Sequence, residues 1–240
     1  GSEMCIRDRT IDSAVFYVGR GFTRFDVGMA MSSSTGYGVS KYDNEEIPVN
    51  YRNQTGSNYT HGPLFWLAVI YLQYAEAAAE LADAGGEAIT QSDLDKTINL
   101  LRDRVGLPHL NQNVGFDDPA NNHGVSSLIW EIRRERIIEL MGEGFGIYDI
   151  RRWRMAPWFL NKPATGLWMS KEEAMKNNMT LYNPETGYSD GTDGSLTEGN
   201  LYLFNDPLKE GKGWLDKYYL YQVPTTEILL NPELEQNPGW

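Results

Sequence analysis

Cysteine and histidine are scarce in this 240-residue sequence, which has one cysteine, Cys5, and three histidines. One cysteine cannot form a disulfide within the chain, and His61, His109 and His123 do not show the ligand spacing of a metal site. The longest apolar run, 63–72, is about half the length that a helix needs to cross a bilayer. With 21 basic against 33 acidic residues the net charge is -12, and no basic cluster is dense enough to bind phosphates. We therefore expect no metal, no transmembrane helix and no nucleic-acid partner.

The first nine residues, Gly-Ser-Glu-Met-Cys-Ile-Arg-Asp-Arg, match the translation of a transposase adapter used in sequencing libraries. We interpret 1–9 as an artefact and not as natural sequence. Removing it also removes Cys5 and leaves the net charge at -12, because two acidic and two basic residues are lost together. The natural protein would then begin further upstream. On this interpretation 10–240 is the C-terminal part of a longer domain, and a missing signal peptide or lipidated cysteine carries no information.

Hydrophobic periodicity predicts a helical core over 64–156. Apolar residues recur three and four positions apart in several stretches, and glycine or proline follows most of them. A pattern close to a capping box precedes the second stretch. Helices are predicted at 64–84, 90–105 and 126–141, with a further helical turn at 148–153. The fold class is therefore mainly α.

Outside this core the sequence predicts mostly irregular structure. Short strands are predicted at 15–19 and 39–42. Periodicity fails over 157–216, an aromatic loop region where eight aromatic residues stand among many Gly, Asn and Asp residues. Such long stretches are usually functional or disordered, and the aromatic content argues against disorder. The C-terminal segment, 217–240, opens with an apolar, strand-like run at 218–223.

Acidic and basic residues alternate along the third predicted helix, so that neighbours three and four apart can pair. The ordinary interpretation is a solvent-exposed lattice of salt bridges. Alternatively, some of these charges turn inward, and Arg136, Asp149 and Arg152 must then be fully paired. In both cases the carboxylates stay ionised, which suits a structural role better than proton donation. The lattice residues are Glu131, Glu135, Glu139, Glu143, Arg133, Arg134 and Arg136.

The sequence assigns no catalytic residue and no cofactor. His-Glu-x-x-His and Gly-x-x-x-x-Gly-Lys-Ser are both absent. Carboxylates about 5 to 10 Å apart, which glycoside hydrolases require, arise by chance in any acidic protein. The segment 189–194 faintly resembles a calcium loop, but it lacks the alternating acidic residues and the terminal glutamate, so we predict a turn.

Aromatic side chains in polar loops are more informative. A Trp or Tyr ring can cover the apolar face of a pyranose while nearby amides and carboxylates bind its hydroxyls. The alternative is that each ring simply holds its loop to the core. The candidates for ligand contact are Tyr37, Tyr51, Trp158 and Trp168.

Four ordered motifs resemble those of a known family. Glu-Arg-Ile-Ile-Glu-Leu-Met-Gly-Glu-Gly at 135–144, followed by Asp-Ile-Arg-Arg-Trp at 149–153, resembles the signature of the SusD/RagB outer-membrane lipoproteins of Bacteroidota. Tyr-Leu-Gln-Tyr-Ala-Glu-Ala at 71–77 and the segment 99–106 are similar to two helical motifs of that family. The ending at 223–240, with Val-Pro, Glu-Ile and Gln-Asn-Pro-Gly-Trp, is similar to the family's C-terminus.

The resemblance implies tetratricopeptide-like helix pairs with long irregular loops and a few short strands. It also implies an outward-facing lipoprotein of the outer membrane, held by a lipid anchor in a missing N-terminal part. Such proteins are not enzymes: they capture oligosaccharides or peptides for a SusC-like TonB-dependent transporter. The motif residues are then structural: Glu135, Arg136, Glu139, Glu143, Gly144, Asp149, Arg152 and Trp153.

Two other functional classes stay open. One is a tetratricopeptide-like protein-interaction module without a small ligand, and the other, with less support, is a glycoside hydrolase. The implied truncation has its own consequence, because a helix stack that is cut between repeats exposes an apolar face. We therefore expect residues 10–240 alone to be poorly soluble.

Overall fold

The computed structural model describes residues 6–8, 35, 37–39, 46–48, 51, 56, 57, 59, 61, 62, 64–121, 123–176, 179–183, 196–204 and 211–240. These residues form eight α-helices and four short strands, so the prediction of a mainly helical fold is confirmed. The chain divides into two compact units. The helical unit comprises Gly1–Thr23 and Tyr37–Gly146, and the hairpin unit comprises Arg24–Gly36 and Ile147–Trp240.

The helical unit contains one small antiparallel strand pair and four helices. The predicted strand at 15–19 lies outside the described residues, and the strand predicted at 39–42 is found slightly earlier in the chain. The elements are β1 (Ile6–Asp8), β2 (Tyr37–Val39), α1 (Leu67–Asp83), α2 (Gln91–Asp95), α3 (Ile98–Arg104) and α4 (Ser127–Glu139).

Helix α1 begins three residues later than predicted, because Trp66 has an extended backbone with φ -97° and ψ 137°. It ends shortly before Gly85, whose φ of +88° is a left-handed conformation that stops helices. The buried face is built from small and branched side chains, which allow α1 to approach α4 closely. Its apolar members are Ala68, Val69, Leu72, Ala75 and Ala79.

The prediction of one helix over 90–105 was wrong, because the chain breaks between α2 and α3. The Thr97 hydroxyl donates to the carbonyl of Asp93 at 2.6 Å, and the Thr97 backbone leaves the helical region with ψ -92°. Such a bond competes with the helical backbone bond to the same carbonyl. Buried Asn99 then bonds both the N–H and the C=O of Leu110, which secures the loop that follows α3.

The capping box that starts α2 is present. Thr90 Oγ1 accepts a hydrogen bond from the backbone N–H of Asp93 at 3.2 Å, and Asp93 Oδ2 accepts one from the N–H of Thr90 at 2.9 Å. Two of the N–H groups left unpaired at a helix start are thereby satisfied. Here the local sequence pattern was a reliable guide.

The other face of α1 is apolar and open. Leu67, Ile70, Tyr74 and Leu81 follow helical spacing, and each is at least 50% exposed. Exposed apolar stripes of this kind occur where a further helix packs. Poor solubility of residues 10–240 alone stays a prediction.

The hairpin unit corrects the prediction that 157–216 has no regular structure. Strands β3 and β4 form an antiparallel pair, and short helices flank them. The strand-like run at 218–223 was also wrong: it begins as a 3₁₀ turn at Asp216–Tyr219. The elements are α5 (Gly146–Arg152), α6 (Ala156–Leu160), β3 (Ala164–Ser170), α7 (Lys171–Lys176), β4 (Glu198–Phe204) and α8 (Thr225–Leu230).

Candidate functional site

The alternating charges of α4 are largely buried. Glu131, Arg136 and Glu139 expose only 2%, 4% and 8% of their surfaces, so the solvent-exposed lattice was the wrong interpretation. Buried charges must be paired to be tolerated. The charges of α4 are matched by side chains of α1 and α3.

Helix α3 supplies one set of partners. Arg102 donates to Glu135 at 2.5 Å and to the carbonyl of Pro108 at 2.9 Å, and it lies 3.6 Å from Glu131. Arg134 forms a bidentate pair with Glu131, and this bonding raises the pKa of the Arg134 guanidinium. A neighbouring pair is Arg104 with Glu139, at 2.6 Å.

Helix α1 supplies the other set. Arg133 contacts Glu80 at 2.9 Å, and its Nε lies 3.8 Å from buried Glu76. Arg136 reaches the same Glu76 at 4.0 Å and lies over the ring of Phe145. The lattice thus ties three helices together. The sequence pattern does not reveal these partners, although Glu76 falls within the motif at 71–77 and Arg102 within the motif at 99–106.

The rest of the family motif also fits a structural role. Asp149 is buried and accepts a hydrogen bond from Arg152 Nε at 2.9 Å, while the Arg152 guanidinium lies over the ring of buried Trp153. Gly144 has φ +82°, and Glu143 is half-buried. The inward alternative is therefore right for Arg136 and Asp149 and wrong for Arg152, whose side chain is 43% exposed.

The four aromatic candidates fall in different surroundings. Only the backbone of Tyr37 is described, in β2. Tyr51 is exposed in the helical unit, and its carbonyl accepts a bond from the Ser57 hydroxyl. In α6, Trp158 is half-buried, and Lys162 Nζ lies 3.8 Å from its ring centre. Trp168 in β3 is 58% exposed and is the most open of the candidate rings that the structure describes.

Trp168 stands on one face of the β3–β4 pair. Opposite residues of an antiparallel pair share a face, and the register sets Trp168 opposite Asn200 and Thr165 opposite Tyr202. We call this the Trp168 face, and its members are Thr165, Trp168, Ser170, Glu198, Asn200 and Tyr202. The other face is a small core of Leu167, Met169, Ala174, Leu181 and Leu201.

A β-bulge places both Thr165 and Trp168 on the exposed face. Three residue steps separate them, so a regular strand would turn them to opposite sides. One extra residue at Gly166 and Leu167, both buried, absorbs the difference. The bulge packs against Thr35, whose carbonyl accepts from the Leu167 N–H at 2.8 Å and lies 2.5 Å from where a Cβ on Gly166 would stand. No side chain fits at 166.

A second aromatic group lies near the C-terminus and was missed as a unit by sequence analysis. Trp214 packs edge-on against Tyr218 and Tyr219 at 5.7 and 5.3 Å between ring centres. Tyr218 lies 5.6 Å from Trp240, whose indole N–H donates to the carbonyl of Lys217. Because these rings mainly cover one another, the group fits a structural role.

The Gln-Asn-Pro-Gly-Trp ending holds the segment before α8 in place. The Gln236 amide accepts from the N–H of Val223 and donates to its carbonyl, both at 2.9 Å. Asn237 donates to the carbonyl of Tyr221 at 2.6 Å. Side chains therefore satisfy the backbone that the sequence suggested was a strand, and this is why the run at 218–223 has no partner strand.

The sequence pattern of the SusD family matches residues 26–240. The chain belongs to the SusD family. It is similar to the crystal structure of a SusD-like protein from Bacteroides fragilis, with 27% identity and a TM-score of 0.50 over 89% of this chain. It is also similar to a SusD-like carbohydrate binding protein of the same species, with 25% identity and a TM-score of 0.58 over 86% of this chain.

This SusD-family chain spans about a third of each of those structures, 32% and 34% of their lengths. No curated protein sequence matches it. Within the described ranges, no helix has the length and apolarity required to cross a membrane, and no group of three or more His, Cys, Asp or Glu side chains is arranged to hold a metal ion.

Gly-Tyr-Ser-Asp-Gly at 187–191 has the letters of Gly-x-Ser-x-Gly, a nucleophile motif that requires a strand before it and a helix after it. Residues 184–195, which include the turn predicted at 189–194, lie outside the described residues.

Proposed function

We propose that this SusD-family protein captures oligosaccharides at the outer face of the outer membrane and passes them to a SusC-like TonB-dependent transporter. The family and a relative named as carbohydrate binding support this proposal. The observation that carries it is Trp168, a large ring 58% exposed on a strand pair whose other face is buried. A pyranose that stacks on this ring would remove apolar surface of both partners from water, which is favourable. Peptides are the second ligand class to test.

A binding role fits the charged groups better than a catalytic one. Glu131, Glu135 and Glu139 are each bonded to an arginine side chain, which suits a role in packing better than one in proton transfer. Elsewhere the pKa of Asp118 is lowered, chiefly by a hydrogen bond from the backbone N–H of Ala120. We therefore assign the lattice to folding and the aromatic surface to ligand.

Membrane attachment is part of the same proposal. A lipid anchor, as the resemblance implies, would hold the protein at the membrane and place it on the transporter as a lid. Deleting the gene should abolish growth on the captured nutrient while sparing growth on its monomer. Unchanged growth on both would count against a role in uptake.

Binding itself is tested on the intact protein. Calorimetric titration with neutral oligosaccharides, acidic oligosaccharides and mixed peptides should give heat and a tryptophan fluorescence change with oligosaccharides. Binding of peptides alone would shift the ligand class. Binding of neither would favour the protein-interaction module, and release of reducing sugar would favour the hydrolase.

A further inference from the structure

We propose that the Trp168 face is a subsite for one uncharged pyranose ring, with Trp168 as the stacking platform and Asn200 and Glu198 as the groups that bind its hydroxyls. This proposal rests on the proposed function and deepens it, because it names the place, the partners and the charge of the ligand.

The backbone that carries Trp168 is held by the core behind it and by the bulge at Gly166. Behind the Trp168 face, Leu201 is fully buried, Met169 is 6% exposed, and both belong to the small core of the hairpin. The bulge at Gly166 is held by the Leu167 N–H bond to Thr35. Because the backbone that carries Trp168 is fixed in advance, it loses little conformational freedom when a ligand covers the ring, and more of the contact energy appears as affinity.

The polar partners stand at the right separation for a sugar ring. Residues directly opposite on an antiparallel pair have Cβ atoms about 5 Å apart, which is close to the width of a pyranose. Asn200 lies opposite Trp168, and its amide donates to the carbonyl of Gly166 at 3.2 Å, which fixes its orientation. One N–H and the amide oxygen remain to bind hydroxyls. Glu198, two residues along β4, faces Ser170 and is exposed.

Both edges of the strand pair are already occupied near Trp168, which argues against a peptide. A peptide captured by sheet extension needs an open strand edge. On the β3 side Leu167 bonds Thr35. On the β4 side the N–H of Tyr182 donates to the carbonyl of Asn200, and the N–H of Tyr202 donates to that of Thr180, both at 2.7 Å. What remains open is the face, which suits a flat ring.

The charge of the face selects a neutral sugar. Glu198 is an exposed carboxylate on this surface, and the whole chain carries a net charge of -12. Uronic acids and sulfated sugars would therefore approach against like charge. A neutral ring meets no such repulsion and offers hydroxyl donors to the carboxylate.

The experiment compares the intact wild type with Trp168→Ala, Asn200→Ala and a matched control, Tyr148→Ala. Tyr148 is an exposed ring on α5, 64% accessible, away from the strand pair in sequence. The probes are neutral gluco-, manno- and galacto-oligosaccharides, polygalacturonate and a sulfated polysaccharide. We expect Trp168→Ala to weaken neutral-sugar binding about tenfold or more and Asn200→Ala about threefold or more, because the bound sugar would cover both side chains. Tyr148→Ala should bind as the wild type does.

Each outcome has a defined meaning. If the wild type binds no oligosaccharide, the proposed function fails. If it binds a neutral sugar and Trp168→Ala binds equally well, the subsite is wrong while the function stands. A preference for the acidic or sulfated probe overturns the charge argument. Circular dichroism shows whether Trp168→Ala is folded, and Trp168→Phe, with a smaller ring, should recover part of the affinity.

Discussion

The cations of the two units have different partners. In the helical unit Arg102, Arg104 and Arg133 reach carboxylates of neighbouring helices, and most of that lattice is buried. In the hairpin unit the cations lie mainly over aromatic rings. Arg151 stands 4.1 Å from the ring centre of Tyr221, and Lys162 stands 3.8 Å from that of Trp158.

The difference separates a folding role from a surface role. Removing a buried arginine leaves a carboxylate without its counter-charge inside the protein, which is costly. Removing a cation above an exposed ring only uncovers that ring, at a cost of about 0.5–1 kcal/mol. The helical unit should therefore be sensitive to single charge changes, and the hairpin unit should tolerate the loss of a cation that only lies over a ring. Four variants test this contrast, from the largest expected effect to the smallest.

Arg102→Ala should be the most damaging. It removes the partner of Glu135 and a neighbour of buried Glu131, and we expect the free energy of unfolding to fall by about 3–5 kcal/mol. Urea denaturation of the intact protein measures the loss. The double variant Arg102→Met with Glu135→Leu removes both charges and should lose less. A single-variant loss below about 1 kcal/mol would mean that the lattice is not structural.

Gly166→Ala tests a position in the hairpin unit that should be sensitive to a small change. The added Cβ would stand 2.5 Å from the Thr35 carbonyl oxygen, so the bulge must shift, at about 1–3 kcal/mol. Gly146→Ala is the matched control, because nothing lies within 4 Å of its Cβ. Thermal unfolding that shows equal stability for the two variants would contradict the packing around the bulge.

Lys162→Ala should cost only about 0.5–1 kcal/mol, since it removes the cation that lies over Trp158 at 3.8 Å and over Phe159 at 5.8 Å. Denaturation followed by tryptophan fluorescence reports both the stability and the new exposure of Trp158. Lys162→Arg keeps a cation above the ring and should behave as the wild type does. A loss as large as that of Arg102→Ala would remove the contrast between the units.

Asp93→Asn should change the dependence of stability on pH. Hydrogen bonds from the hydroxyl and the backbone N–H of Thr90 hold the pKa of Asp93 below its ordinary value. The folded chain therefore binds this proton more weakly than the unfolded chain. The stability that this carboxylate contributes is complete above about pH 4, the unfolded pKa, and is lost as the pH falls through the lower folded pKa.

Unfolding midpoints of Asp93→Asn measured from about pH 7 to about pH 2.5 should fall less steeply than those of the wild type below about pH 4. Asp83→Asn, which alters an exposed carboxyl at the end of α1, controls for the change in net charge. Identical acid profiles for the wild type and Asp93→Asn would show that the capping box adds no pH-linked stability.

The sequence predicts α1 and α4 to within three residues at each end and predicts the tertiary pairing poorly. The start of α2 follows from its capping box, since Thr90 accepts the expected N–H bond. The break at Thr97 was missed because a side-chain bond to a carbonyl four residues back leaves no trace in hydrophobic periodicity. Burial of the charges of α4 was equally hidden, because their partners come from α1 and α3.

The Trp168 face shows why a candidate site is harder to predict than a helix. Trp168 was a candidate because it stands in a polar, aromatic-rich segment, but Asn200 and Glu198 become its neighbours only through the β3–β4 register. The bulge interrupts the two-residue alternation that would have revealed β3 as a strand. Contact between residues distant in sequence depends on pairing, which local patterns do not encode.

Between Thr165 and Trp168, strand β3 takes three residue steps where the facing stretch of β4 takes two. In a regular strand, the deletion of one residue turns every later side chain to the opposite face of the sheet. Here the loss of Gly166 would bring Thr165 and Trp168 to an even separation and keep both toward solvent. The deletion of Gly166 should therefore disturb the packing of this segment less than the methyl group that Gly166→Ala adds.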